Sequence, residues 1–497
     1  MGKKVLIIGA GPGGLVAGML LASQGFQVEI LEKENQVGGR NGRLTLGDNY
    51  HFETGPTFLM LPSILEEIFE ETGRKLSDYL ELKRIDPLYR LIFPNGKSFQ
   101  PTADADQMKQ QMDELFPGDY SGYERFRKEE EKKFNALYPC LQTPYGHLTD
   151  YLSPRFLKAL PYLDAFRSIY SRLADCFEHE EMRLAMTFQA KYLGMSPWHC
   201  PATFAMIPFI EHQFGVWHPT GGLNQISSAM AERISELGGQ IQLNTEVKKI
   251  CVQNGKAQGV ELTNSEMIQA DYIVMNTDFA YGMTHLLKEE EHPSWSSKKI
   301  AKSEYSCSTF MIYLGLDKQY EIPHHNVIFA EDYKSNIDGI SHGEALGKDF
   351  SFYVQNPWVT DLTLAPEGHS TLYILVPAPN LENGFDWETV KAEMREIILD
   401  KVQDKLGIED IRSHIQVEKI ITPEEWLTKH YVFNGAVFNL AHTINQMLYF
   451  RPHNEYDDVD GLYLVGGGTH PGSGLPTIYE SGRISAKLIK EKSDLYQ

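Results

Sequence analysis

The chain has 497 residues, of which 42% are hydrophobic and 23% charged; that supplies a sizeable core and excludes a disordered polymer. The formal net charge of −21 argues against nucleic acid as a partner and against whole-molecule attraction to anionic lipid. The five cysteines, Cys140, Cys176, Cys200, Cys251 and Cys307, lack CxxC or Cys/His ligand spacing, so they read as free thiols in a reducing cytosol, with no disulfide framework and no metal site.

Lys3 and Lys4 precede an uncharged stretch, Val5 to Gly25, that resembles a signal peptide or membrane anchor. Five glycines, at 9, 11, 13, 14 and 18, weaken that reading. A buried strand over 4–8, a helix over 15–24 and a strand over 27–31 explain the same residues as a βαβ unit. Residues 103–137 are charged and helical, and the run Arg125 to Glu131 reads as a solvated helix face. Residues 151–214 are richer in aromatic and apolar side chains. Strand patterns follow at 240–251, 258–263, 271–276, Tyr305 to Leu316 and Thr371 to Val376, with a helix over 384–406. Leu462 to Val465 is a last buried strand, followed by a glycine loop and a helix over 476–490. No other segment is long and apolar enough to span a bilayer. Nucleotide-type signals at both ends and in the middle predict two interleaved domains. One is an α/β, Rossmann-type domain of 1–90, 215–285 and 455–497. The other is an α+β domain of 91–214 and 286–454, with 151–214 its helical part.

The chemistry begins at Gly9-Ala10-Gly11-Pro12-Gly13-Gly14, which holds GxGxxG between the first strand and the first helix. Gly9 permits the tight turn, Gly11 lets the backbone approach a pyrophosphate, and Gly14 allows close packing of helix on strand. The helix N-terminus offers free N–H groups and the positive end of its dipole to phosphate. Glu32, at the end of the second strand, is placed to accept hydrogen bonds from a ribose diol. A glycine-rich turn without a ligand would not need that carboxylate. The motif alone does not separate NAD from FAD.

Val37-Gly38-Gly39-Arg40 and Gly55-Pro56-Thr57 follow closely. Flavin oxidoreductases such as the amine oxidases and phytoene desaturases have similar segments, and the likeness implies FAD. Asn244 to Ile250 resembles their strand over the adenine, and Asp271 to Asp278 the strand after it. Near the C-terminus, Gly461 to Pro476 delivers a buried strand, a glycine loop and a helix with Pro476 in its first turn. That helix N-terminus can face the flavin pyrimidine ring, where reduction places negative charge. Gly467 and Gly468 stand where related flavoproteins often carry an acidic residue, so backbone contacts replace a carboxylate there.

With these segments, Tyr192-Leu193-Gly194, Phe209 to Gly222, Tyr305 to Ser308, His325 to Phe329, Leu364 to Gly368 and Thr469-His470-Pro471-Gly472, the chain resembles the bacterial phytoene desaturase family over nearly its whole length. Its nearest likeness is to the dehydrosqualene (4,4'-diapophytoene) desaturases. Thr477 to Arg483 departs from that pattern. The resemblance implies an amine-oxidase/phytoene-desaturase-like architecture, in which the α+β domain receives substrate. It implies FAD held by Gly9, Ala10, Gly11, Pro12, Gly13, Gly14, Glu32, Lys33, Gly38, Gly39, Arg40, Gly55, Pro56, Thr57, Val247, Asn276, Gly467, Gly468, Leu475 and Pro476. It also implies removal of hydrogen from carbon pairs of an acyclic polyene, with FAD as hydride acceptor and oxygen or a quinone as the final acceptor.

Flavin supplies the electron sink that side chains lack. The protein must hold the chain and exclude water, which predicts an apolar tunnel rather than a polar catalytic cluster. Tyr192, Phe204, Phe209, Phe214, Tyr305 and Phe310 are candidate tunnel residues. His470, in the flavin loop, is a candidate proton shuttle or a loop-positioning histidine. At roughly 0.8 kcal/mol per buried methylene, a long polyene is essentially absent from water and resides in lipid. Peripheral docking on the cytoplasmic face of the cell membrane is therefore expected. The expected patch is 151–173, where Phe156, Leu157, Leu160, Leu163, Phe166, Ile169 and Tyr170 accompany Arg155, Lys158, Arg167 and Arg172. A helical hairpin packed on its own domain explains the same residues.

Three other readings share these motifs: terminal-methyl oxidation or isomerisation of a carotenoid, amine or porphyrinogen oxidation, and a non-catalytic prenyl chaperone like the Rab GDP-dissociation inhibitors. Thr469 to Gly472 disfavours the second. The intact GxGxxG, Glu32 and GGR disfavour the third.

Overall fold

A computed structural model describes residues 2–344 and 346–495. Strands Lys4–Ile8, Gln27–Leu31, Gln240–Gln242, Tyr272–Met275 and Leu462–Leu464 form one five-stranded parallel sheet. Lys4–Ile8 lies at its centre, between Gln27–Leu31 and Tyr272–Met275. Leu462–Leu464 and Gln240–Gln242 are the edges. Val5, Leu6 and Ile7 are fully buried, as a parallel strand covered on both faces requires. One face packs on helices Pro12–Ser23, Asn224–Glu236 and Leu475–Leu495. The other packs on an antiparallel sheet of Val247–Gln253, Lys256–Leu262 and Met267–Gln269.

Helix Pro12–Ser23 has almost no polar face, because its glycines and alanines let neighbours come close. At its crossing with the C-terminal helix, a Cβ on Gly482 would lie 2.6 Å from the carbonyl oxygen of Gly13. The signal-like N-terminal stretch is thus strand, turn and buried helix. Among the described residues no helix is long and apolar enough to cross a membrane.

The second sheet has seven strands, in the order Ile415–Ile421, Ser308–Leu316, Ser370–Ala378, Phe352–Gln355, His325–Ile328, Arg90–Ile92 and Ser98–Phe99. Strand alternation gives it two different faces. Phe310, Ile312 and Leu314 pack with Ile374 and Val376 against helix Trp387–Leu406. Met311, Tyr373 and Leu375 point the other way, into a cavity. Leu82–Ile85 and Val216–Pro219 form a separate antiparallel pair.

Two expected elements divide. The strand over 240–251 becomes Gln240–Gln242 and Val247–Gln253, separated at Asn244, whose φ of 52° turns the chain from one sheet to the next. The helix over 103–137 becomes Ala105–Leu115 and Tyr120–Leu141, separated by Phe116 to Asp119. The run Arg125 to Glu131 is not wholly solvated. Glu130 is fully buried and pairs with Lys133 at 3.0 Å and Arg172 at 3.5 Å. Buried charges persist where they are paired, and this cluster fastens helix Tyr120–Leu141 to helix Ile169–Ala174. The five cysteines are free.

Candidate flavin and substrate site

One cavity of about 440 Å³ runs from the glycine loops to the second sheet. Of the expected cofactor residues, its wall includes Gly9, Gly11, Pro12, Glu32, Lys33, Gly39, Arg40, Gly55, Pro56, Thr57, Val247, Asn276, Gly467, Leu475 and Pro476. Most of them lie just past the end of a strand or at the start of a helix. Gly9 to Pro12 follows the central strand, and the helix beginning at Pro12 has no side-chain cap, which leaves its first amides for a ligand. Asn276, just past Tyr272–Met275, donates to the carbonyls of Gly9 (2.8 Å) and Gly11 (3.3 Å) and fixes the loop.

Ala10, Gly13, Gly14, Gly38 and Gly468 lie behind that wall. Ala10 donates its amide to Glu32 Oε2 at 2.7 Å. Gly14 backs the turn, since a Cβ there would lie 2.6 Å from the carbonyl oxygen of Gly9. Gly38 donates its amide to the carbonyl of Ala10 at 2.8 Å. Gly468 is pressed against Phe279. These residues shape the loops and present no surface to the cavity.

Arg40 ties the nucleotide loops to the segment around Val437 and Asn439. Its Nη1 donates to the carbonyl of Val437 at 2.5 Å and its Nη2 to Asn439 Oδ1 at 3.3 Å. Burial lowers its pKa, and Asp278 acts in the opposite direction. Burial raises the pKa of Asp278, offset by Arg40. Tyr373 donates to the carbonyl of Gly55 (2.7 Å) and Tyr353 to Thr57 Oγ1 (2.9 Å), so the second sheet holds the Gly55-Pro56-Thr57 turn.

These residues fit FAD. Glu32 points a carboxylate into a cavity that also offers uncapped helix amides and a buried arginine. The stacked pair Tyr281 and Tyr431, centroids 4.6 Å apart, lies beside Val247 in the same wall. FAD held here would supply the electron sink for C–H oxidation. Lys33 sits at the rim, with Nζ 4.3 Å from the centroid of the Tyr431 ring.

The tunnel expectations fare differently. Tyr192 lines the cavity. Phe310 does not, because its strand position turns it to the opposite face of the sheet from Thr309 and Met311. Phe209 is core, packed on Phe134 and Phe214. Phe214 is partly exposed on the far side of that cluster. Phe204 packs edge-on to His442. Tyr305 donates to the carbonyl of Ile300 and packs on Phe433. The apolar wall is instead built by Phe58, Met60, Phe188, Val327, Phe352, Tyr353 and Leu375. Phe58 and Met60 follow Gly55-Pro56-Thr57 so closely that the motif itself points to them.

His470 is buried outside the cavity wall. Its Nε2 donates to the carbonyl of Thr143 at 2.9 Å, and its ring packs edge-on to Tyr145. Burial brings its pKa down to about 3. It therefore stays neutral and holds the loop, and no shuttle role follows. Lys191, a lone charge in Phe188-Gln189-Ala190-Lys191-Tyr192-Leu193, also lies in the wall, where a single lysine among aromatic and apolar residues carries no motif in the sequence.

Comparison with known proteins agrees with this geometry. Residues 12–490 match the family of flavin-containing amine oxidoreductases. A Methylomonas protein described as 4,4'-diapophytoene desaturase (4,4'-diapolycopene-forming) is 49% identical over 99% of this chain and 96% of its own. The all-trans-zeta-carotene desaturase of Myxococcus xanthus is 38% identical over 99% of this chain and 94% of its own. Cyclohexylamine oxidase from Brevibacterium oxydans shares the fold, with a TM-score of 0.62 at 16% identity, covering 99% of this chain and 100% of that one. The chain belongs to the flavin-containing amine oxidoreductase family, among its carotenoid desaturases, and is an FAD-dependent oxidoreductase acting on CH–CH groups.

Proposed function

We propose that the protein desaturates an acyclic thirty-carbon carotenoid precursor, 4,4'-diapophytoene, towards diaponeurosporene or diapolycopene. The observation that carries this reading is one cavity, continuous from the dinucleotide loops to an apolar wall, in a chain 49% identical to a protein described by that activity. Phe58, Met60, Phe188 and Val327 would hold the hydrocarbon and keep water from the carbon that loses hydrogen. The test is incubation with liposomes loaded with the thirty- or forty-carbon precursor, followed by product absorption and mass. Loss of hydrogen in pairs from the shorter chain supports the reading. Added oxygen or an unchanged mass would replace it with terminal oxidation or isomerisation.

Docking at the cytoplasmic face of a membrane belongs to the same proposal. It is supported by a run of exposed apolar side chains on a protein whose substrate resides in lipid. Leu148, Leu152, Leu157, Leu160 and Tyr162 are exposed, and Phe166 is 97% exposed. Phe450 joins them from a segment tied on by the Tyr449 amide, which donates to Tyr151 Oη at 3.3 Å. Phe156, Ile169 and Arg172 turn inward and are not part of this surface. Reduced cofactor would return its electrons to oxygen or a membrane quinone.

A further inference from the structure

We propose that Lys191 is the base that takes the proton released as each double bond forms, an inference that rests on the desaturase reading. Forming one C=C removes a hydride, which the FAD-dependent reaction accounts for, and a proton from the neighbouring carbon. The electron pair of that second C–H bond becomes the π bond, and the proton needs an acceptor inside an apolar cavity.

Lys191 lies in the short helical segment Phe188–Leu193, on the hydrocarbon side of the cavity with Phe188, Tyr192 and Val327. Among the described residues its Nζ makes no hydrogen bond or ion pair, and its polar contact is the face of the Tyr333 ring, 4.7 Å from the centroid. An ammonium without a carboxylate in such a place is costly, and a neutral amine is not. The titratable groups facing it are the Cys307 thiol, ahead of strand Ser308–Leu316, and Tyr333, opening helix Tyr333–Ser341. Burial pushes Cys307 up to about 12, so it brings no counter-charge at neutral pH.

The phenols of the apolar wall and two groups behind it fail as acceptors. Burial raises the phenols of Tyr192, Tyr353 and Tyr373, which keep their protons. Glu211 and His325 are buried outside the wall, Glu211 bonded to Gln189 and His325 to Tyr353. Burial lowers Lys191 to about 7, so its amine is available at neutral pH.

The test uses full-length, FAD-loaded protein on liposomes carrying the thirty-carbon precursor, with anaerobic single-turnover product formation followed against pH. The wild type should slow below about pH 7 as the amine gains its proton. Lys191→Met should keep its flavin spectrum, run at least about 10²-fold slower and lose that limb. Independently, reductive ¹³C-methylation should show one lysine resonance, absent from Lys191→Met, that titrates near 7. Equal rates in the two proteins, or titration of that resonance at an ordinary lysine value, would overturn the proposal. If Lys191→Met failed to take up FAD, the wild-type titration would decide alone. Product from wild type and variant alike sinks this inference only; no product from the wild type sinks the desaturase reading as well.

Discussion

The carbonyl oxygen of Gly13 and the α-carbon of Gly482 meet with no room for a methyl group between them, since a Cβ on Gly482 would lie 2.6 Å from that oxygen. The dinucleotide helix and the C-terminal helix are thereby set against each other, and the loops that precede each of them reach one cavity.

Gly482→Val should spread that crossing. Overpacking of this kind costs about 1–3 kcal/mol. The variant is expected to melt lower and to purify with less bound FAD, read from the ratio of visible to ultraviolet absorbance. Wild-type flavin content at an unchanged melting temperature would show that the contact is slack.

Glu32 accepts two backbone hydrogen bonds, from Ala10 (2.7 Å) and Glu34 (2.9 Å). Its removal takes away both the loop support and the partner for a ribose. Hydrogen bonds to a charged group contribute about 1.5–3 kcal/mol, so Glu32→Ala should weaken FAD binding roughly 10- to 100-fold. Titration of apoprotein with FAD, followed by flavin fluorescence, measures this. Unaltered affinity would move the ribose elsewhere.

The apolar surface separates docking from folding. Phe166→Asp and Leu157→Asp alter exposed side chains and should leave the melting curve alone while reducing co-sedimentation with liposomes. Phe156→Asp buries a charge in the cluster of Tyr145, Ala159 and Met206 and should unfold that part. Full co-sedimentation of the Leu157→Asp, Phe166→Asp double variant would remove this surface from consideration.

Glu211 is fully buried and accepts from Gln189 Nε2 (2.8 Å) and Tyr89 Oη (3.2 Å). Burial raises its pKa to about 7. A raised carboxyl keeps a proton in the folded state that the unfolded chain has already lost. Stability is therefore greatest below the ordinary glutamate value and falls as pH climbs from there through about 7, by an amount on the order of 3 kcal/mol. Glu211→Gln removes this slope. It should out-melt the wild type at about pH 8 and match it at about pH 4. Glu53 is also raised to about 7, but it is common to both proteins and drops out of the comparison. Parallel curves would show that Glu211 titrates alike in the folded and unfolded chain.

The cofactor loops were legible because their chemistry is local: GxGxxG, GGR and the C-terminal glycine loop each lie within one short stretch of chain. The hydrocarbon wall was not, because burial depends on which face a residue takes. Phe310 and Met311 are neighbours in one strand, yet only Met311 meets the cavity. Phe156 and Phe166 look alike in sequence, yet one is core and the other is 97% exposed. Glu130 reads as part of a solvated run until Lys133 and Arg172 close over it. The register of a charge run is set by tertiary partners that no window of sequence contains.

The parallel sheet gains its edge strand, Leu462–Leu464, only from the last part of the chain. During synthesis the first strand and helix must therefore leave the ribosome long before their final neighbours exist. Such long-range pairing slows folding and leaves apolar surface uncovered meanwhile. A nascent chain halted before residue 462 lacks the C-terminal glycine loop of the cavity wall and should emerge colourless.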